Sequence, residues 1–255
     1  MGFRVIEHKN KENRKTIILI HGAYHGAWCW EENFAPYFLE RKINVVSIDF
    51  IRKSKKTKVE EYIQYLNKVI EKLEGELYVA SHSLGAAILE RYIVKYSPKL
   101  NGVIFLTPGP FVKQIRRAFV VNVHNIFRNK KRFYFSERLE DDNAERYIEK
   151  LKKEPRWIEF LVVRKNIPGN YDWKYKTLIL SSLNDQCMPI SIGIDAGKRI
   201  GAKVIIYENI CHDMMLDPEW RCVAEDICHF IQENNGEKFN EEESRQRMSE
   251  LFVNK

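Results

Sequence analysis

Leu77-Tyr78-Val79-Ala80-Ser81-His82-Ser83-Leu84-Gly85-Ala86-Ala87 is the stretch on which the fold turns. An apolar strand runs into a short polar bend and leaves it as a helix. Ser81, a small residue two places before Ser83, and Gly85, two places after it, let the chain bend tightly. A serine on such a bend presents its hydroxyl at the top of a sheet, with a helix N-terminus beneath it. That is the setting in which serine becomes a nucleophile.

Strands and helices alternate on either side of this bend. Thr16–Ile20, Asn44–Ile48, Val103–Leu106, Thr177–Ser181 and Lys203–Tyr207 are short, apolar and β-branched, as strands buried on both faces are. Phe3–Glu7 reads as a short edge strand. Val59, Tyr62, Ile63, Leu66, Val69, Ile70 and Leu73 recur at three- and four-residue spacing, the stripe of an amphipathic helix, with Gly75 at its end. Leu84–Tyr96 continues from the bend as a second helix. This order predicts an α/β protein with a doubly wound, mostly parallel sheet and right-handed crossovers.

The alternation breaks between Phe111 and Trp173, which is rich in Arg, Lys, Glu and aromatics and contains helical stretches over Asn143–Lys153 and Pro155–Arg164. The sequence therefore divides into a core of residues 1–110 and 174–235, an inserted helical cap at 111–173, and a charged tail or helix at 236–255.

A chain of 255 residues with 44% hydrophobic and 30% charged residues can bury a substantial core. No apolar stretch reaches the roughly 18 residues of a membrane helix, and the N-terminal segment lacks the apolar core of a signal peptide. The five cysteines (Cys29, Cys187, Cys211, Cys222, Cys228) are odd in number and irregularly spaced, which reads as reduced thiols in a cytoplasmic protein with no metal site. The net charge of +7 is concentrated in Arg52–Lys58 and Arg128–Arg132. These runs read as solvated surface or as a field for an anionic substrate or a membrane surface. No nucleic-acid-binding module accompanies them.

A serine hydroxyl needs a histidine to take its proton and a carboxylate to orient that histidine. On this type of sheet both follow the serine in chain order, on loops at the carboxyl ends of later strands. Asp185 follows Thr177–Ser181, and His212 follows Lys203–Tyr207. Asp213 and Asp217 lie near His212 but follow no strand in that order. Two backbone N–H donors must face the developing oxyanion. Leu84, directly after the nucleophile, supplies one. Ala23, in the loop His21-Gly22-Ala23-Tyr24-His25-Gly26-Ala27-Trp28, supplies the other.

These residues resemble the α/β-hydrolase superfamily. His21–Trp30 is similar to the oxyanion loop of the plant methylesterase and hydroxynitrile lyase branch. Cys211–Trp220 resembles the histidine loop of carboxylesterases and lysophospholipase-like members. The resemblance spans roughly residues 16 to 232 outside the cap. It implies Ser83 as nucleophile, Asp185 as acid, His212 as general base, and Ala23 and Leu84 as oxyanion donors. Ser81 stands where the family usually has glycine. Asp49-Phe50-Ile51-Arg52-Lys53-Ser54-Lys55-Lys56 replaces the family's Asp-x-x-Gly-x-Gly-x-Ser loop.

Tyr24, His25 and His82 flank these positions and are the candidate substrate-binding side chains. The plainer readings are packing for His82 and bonding within the oxyanion loop for His25. His124 and the aromatics Phe119, Phe127, Phe133, Tyr134 and Phe135 would line an apolar acyl or aryl pocket from the cap. The expected activity is cleavage of small-molecule carboxylic esters, from small acyl or aryl esters to lysophospholipid- or monoacylglycerol-like ones, without cofactor or metal. The alternatives are a hydroxynitrile lyase or carbon–carbon bond hydrolase on the same triad, with Lys113 or Lys130 as its cation, and a non-catalytic ligand-binding relative.

Overall fold

The computed structural model of the protein describes residues 3–50, 59–109, 130–151 and 172–233. Seven strands form one sheet: β1 (Arg4–His8), β2 (Lys15–Ile20), β3 (Ile43–Asp49), β4 (Glu76–His82), β5 (Gly102–Leu106), β6 (Thr177–Ser182) and β7 (Lys203–Tyr207). Their spatial order is β1-β3-β2-β4-β5-β6-β7. Only β1 runs antiparallel, pairing Arg4 with Asp49 and His8 with Val45 at the edge. The other pairs are parallel, with Ile20 opposite Ser81 and His82 opposite Leu106.

The continuous apolar runs have the cause the sequence indicated: both faces of the sheet are covered. Side chains alternate along a strand, so Ile17 and Leu19 of β2 enter one core while Ile18 and Ile20 enter the other. The first core takes helices α1 (Trp28–Glu31), α2 (Phe34–Glu40) and α8 (Trp220–Glu233). The second takes α3 (Val59–Ile70) and α4 (Leu84–Tyr96). Between β5 and β6 the described residues hold two helices, α5 (Lys130–Tyr134) and α6 (Asp141–Lys150); α7 (Ile190–Ile200) joins β6 to β7.

The stripe of α3 ends at Ile70 rather than Leu73, because Lys72 and Leu73 close tighter bonds to Val69 and Ile70 three residues back. Within 111–173, the helix at Asn143–Lys153 is α6 with earlier bounds, and Pro155–Arg164 lies outside the described residues. So do the basic run Arg52–Lys58, the segment 111–129, and the tail 236–255. None of the five cysteines is in a disulfide, and Cys29, Cys187, Cys211 and Cys228 are buried. Among the described residues no helix is long and apolar enough to cross a membrane.

Candidate active site

β4 ends at His82, and Ser83 turns the chain with φ 50° and ψ −118° before α4 begins at Leu84. Positive φ is costly for serine, and such strain persists only where the surroundings hold it. Here the Ser83 N–H donates to the Leu106 carbonyl at 3.1 Å, and the Ser83 carbonyl accepts from Gly109 at 2.9 Å and Ala86 at 3.0 Å. The bend is thus clamped to the end of β5. The serine hydroxyl makes no capping bond to α4. Leu84 opens the helix, where N–H groups have no intrahelical partner.

Two glycines admit neighbouring backbone to the bend. A β-carbon on Gly85 would stand 2.6 Å from the His21 carbonyl oxygen and 2.9 Å from that of Ile20. One on Gly22 would stand 2.8 Å from His82 Nδ1 and 2.9 Å from the Ser83 Cβ. The second contact seats the loop after β2 directly against Ser83. His21 holds that loop: its Nε2 accepts the Phe50 N–H at 3.0 Å and its Nδ1–H donates to the Gly22 carbonyl at 2.7 Å.

Asp185 and His212 meet across two loops. His212 Nδ1 lies 2.8 Å from Asp185 Oδ2, and both side chains are almost fully buried. Asp185 Oδ1 accepts the N–H groups of Cys187 (2.7 Å) and Met188 (2.8 Å), which fixes the carboxylate plane. The His212 carbonyl accepts from Thr107 Oγ1 at 3.0 Å and from His82 Nε2 at 3.1 Å. The His212 ring lies 4.6 Å, centroid to centroid, from that of His82, the residue before Ser83. Burial alone would lower the His212 pKa. The Asp185 carboxylate outweighs it, aided by the Cys187 thiol, and the imidazole pKa is raised well above its ordinary 6.5. His82, by contrast, is pushed well below 6.5 by burial and by the neighbouring His212 and His25, so it remains neutral.

The sequence reading placed no role on Asp217, Thr107, Cys187 or Arg138. Asp217 is buried and accepts the N–H of Cys211 at 2.9 Å and of Glu219 at 2.9 Å, closing the histidine loop on itself. Arg138, beyond α5, reaches Asp217 (3.3 Å), Glu219 (2.6 Å) and the Asn209 carbonyl (3.0 Å). The Asp213 N–H donates to the Tyr134 carbonyl at 3.0 Å. The segment between β5 and β6 is thereby tied to the loop that carries His212. These ties follow no strand-end rule, so spacing could not reveal them.

Of the flanking candidates, His25 and His82 are buried, and their ring nitrogens contact Asp213, the Ala23 carbonyl and the His212 carbonyl. Tyr24 has φ 65° and faces Tyr134 at 6.5 Å between ring centroids. Tyr134 in turn lies 6.4 Å from the His212 ring. Phe133 packs edge-on against Tyr134, and Phe135 is buried against Tyr147. Phe119, His124, Phe127 and Lys113 lie outside the described residues, as does the Lys130 side chain. Trp30, Met214 and Met215 are fully buried in the core.

Residues 17–233 match the model of the alpha/beta hydrolase family. The chain belongs to that family. This alpha/beta hydrolase is 28% identical over 109 residues to Methylesterase 1 of Arabidopsis thaliana, a match covering 38% of this chain and 41% of the relative. The chain spans less than half the length of the curated relatives it matches. Among solved structures the hydrolase resembles a lipase-esterase related protein from Clostridium acetobutylicum ATCC 824, with TM-score 0.68, 19% identity, and coverage of 90% of this chain and 100% of that one. A monoacylglycerol lipase from Paleococcus ferrophilus is similar to the same extent, with TM-score 0.67, 18% identity, and coverage of 90% and 100%. At these identities the structural likeness concerns the fold.

Proposed function

We propose that this hydrolase cleaves carboxylic esters through Ser83, His212 and Asp185. The observation that carries the reading is the buried 2.8 Å bond between His212 Nδ1 and Asp185 Oδ2, formed by residues 27 positions apart, on the sheet edge where Ser83 is held at positive φ. With Nδ1 committed to the carboxylate, Nε2 is the nitrogen left to serve the serine.

Ser83 Oγ attacks the acyl carbon while His212 accepts its proton. The oxyanion forms opposite the N–H groups of Ala23 and Leu84. His212 then protonates the departing alcohol, leaving an acyl-Ser83 ester. Water, deprotonated by His212, attacks that ester and releases the acid. Asp185 orients the imidazole and stabilises the imidazolium. The methylesterase relative, Tyr134 beside the His212 ring and Tyr24 facing Tyr134 support an apolar acyl or aryl ester of small to medium size.

A series of p-nitrophenyl esters from acetate to decanoate tests this, together with labelling by a fluorophosphonate. Burst kinetics and labelling lost in Ser83→Ala are the expected results. Absence of turnover across the series and of label on Ser83 overturns the assignment.

A further inference from the structure

Directly after the general base, Asp213 directs its carboxylate to His25 in the loop after β2. It is fully buried, and its Oδ2 lies 2.7 Å from His25 Nε2. The other ring nitrogen, His25 Nδ1, lies 2.6 Å from the Ala23 carbonyl oxygen. Both nitrogens thus face acceptors, one a carboxylate and one a carbonyl. A neutral imidazole carries one N–H, so the ring that satisfies both is the imidazolium. Burial opposes that charge, but Asp213 overrides it, and the His25 pKa is raised.

The remaining oxygen, Asp213 Oδ1, is buried without a hydrogen-bond partner and lies 3.6 Å from His82 Nε2. Buried ion pairs contribute little net stability, and an incompletely satisfied carboxylate is a cost that packing alone does not explain. The pair instead holds one particular backbone segment. The Ala23 N–H belongs to the Gly22–Ala23 peptide, whose carbonyl is held by His21 Nδ1–H at 2.7 Å. A planar trans peptide points its N–H opposite its carbonyl. His25 holds the carbonyl of the next peptide, so the two histidines fix the groups on both sides of Ala23.

We infer that Asp213 is a positioning residue for the oxyanion hole: through His25 it fixes the Ala23 backbone in place relative to the loop that carries the general base. One loop thereby sets both the proton acceptor and the amide facing the oxyanion. His212 is bound to Asp185, and the next residue is bound to His25. This role rests on the ester-cleaving reading above.

The test compares Asp213→Asn, His25→Gln and the double variant on a p-nitrophenyl ester and on the matching thionoester. Sulphur accepts hydrogen bonds weakly, so an ordered oxyanion hole favours the oxygen ester. Each single variant lowers kcat on the oxygen ester by about 10- to 100-fold, with KM within about twofold. The oxygen-to-thionoester rate ratio falls in each, and the double variant is no worse than the poorer single one. Circular dichroism establishes that the variants are folded, and should Asp213→Asn not fold, His25→Gln carries the comparison. An unchanged ratio, multiplicative losses in the double variant, or failure of both single variants to fold overturns the role of Asp213. Wild-type protein that is neither labelled by a fluorophosphonate nor active on the oxygen ester instead overturns the esterase reading.

Discussion

Asp185 divides its carboxylate between two tasks: Oδ2 meets His212 Nδ1 at 2.8 Å, and Oδ1 accepts the N–H groups of Cys187 and Met188. The orientation of the histidine is therefore set by backbone two and three residues beyond the aspartate. Asp185→Asn preserves the shape but replaces the carboxylate with an amide, which favours the wrong imidazole tautomer. The expected result is a fall in kcat of roughly 10⁴-fold with little change in KM. Steady-state kinetics beside a thermal melt distinguish this from loss of the fold.

The pH dependence follows from the same pair. In the proposed mechanism His212 acts as a base only when neutral, and its pKa is raised well above 6.5. Activity is therefore lost as pH falls through a value above 6.5, rather than at the ordinary imidazole pKa. Stability runs the other way. A raised folded pKa gives stabilisation that is fully present below about 6.5 and lost as pH rises through the folded value. Across that window the wild type gains activity while its melting temperature declines. A pH–rate profile of kcat/KM and melts over the same range check both signs. An acid limb at or below 6.5 contradicts the assignment.

Gly22 and Gly85 separate chemistry from stability. Alanine at 22 places a methyl group against His82 Nδ1 and the Ser83 Cβ, so it pushes the loop after β2 away from Ser83, the proposed nucleophile. A displacement of this kind costs about 100-fold in kcat. Alanine at 85 meets the backbone oxygens of Ile20 and His21, which cannot move without disturbing β2. Overpacking there costs roughly 1–3 kcal/mol. Kinetics and melting curves on the two variants should therefore diverge, with Gly22→Ala the more impaired in turnover and Gly85→Ala the more impaired in stability.

Asp217→Ala removes the acceptor for the Cys211 and Glu219 N–H groups in the histidine loop. Leaving the buried Cys211 N–H unpaired costs roughly 1–3 kcal/mol, or about 2–4 °C of melting temperature per kcal/mol in a chain of this size. Arg138→Ala, at a half-exposed side chain, lowers it by less. Differential scanning calorimetry ranks the two.

The sheet was legible because strands buried on both faces leave continuous β-branched runs; Leu84–Tyr96 and Lys203–Tyr207 have the bounds read from sequence. Helix α2 (Phe34–Glu40) was not read, since its seven residues are too few for a periodic stripe and include Pro36. Helix α8 carries a buried stripe of Val223, Ala224, Ile227 and Ile231 beyond the histidine loop, which the motif residues of that loop do not reveal. Chain order relative to strands singles out Ser83, Asp185 and His212, and the structure joins the last two by a hydrogen bond. Asp213 was set aside by that same rule, because its contact with His25 joins residues 188 positions apart. No local spacing encodes such a contact.

The bond from the Asp213 amide to the Tyr134 carbonyl, with Arg138 seated on Asp217, bears on building chimaeras. Exchanging the region between β5 and β6 for that of another family member is an obvious route to new selectivity. A donor segment must therefore hold the backbone at 134 where its carbonyl meets the Asp213 N–H, and carry a guanidinium at 138 to reach Asp217. Tyr147 stacked on Trp28 and Arg146 paired with Glu32 are further contacts that such a graft has to reproduce.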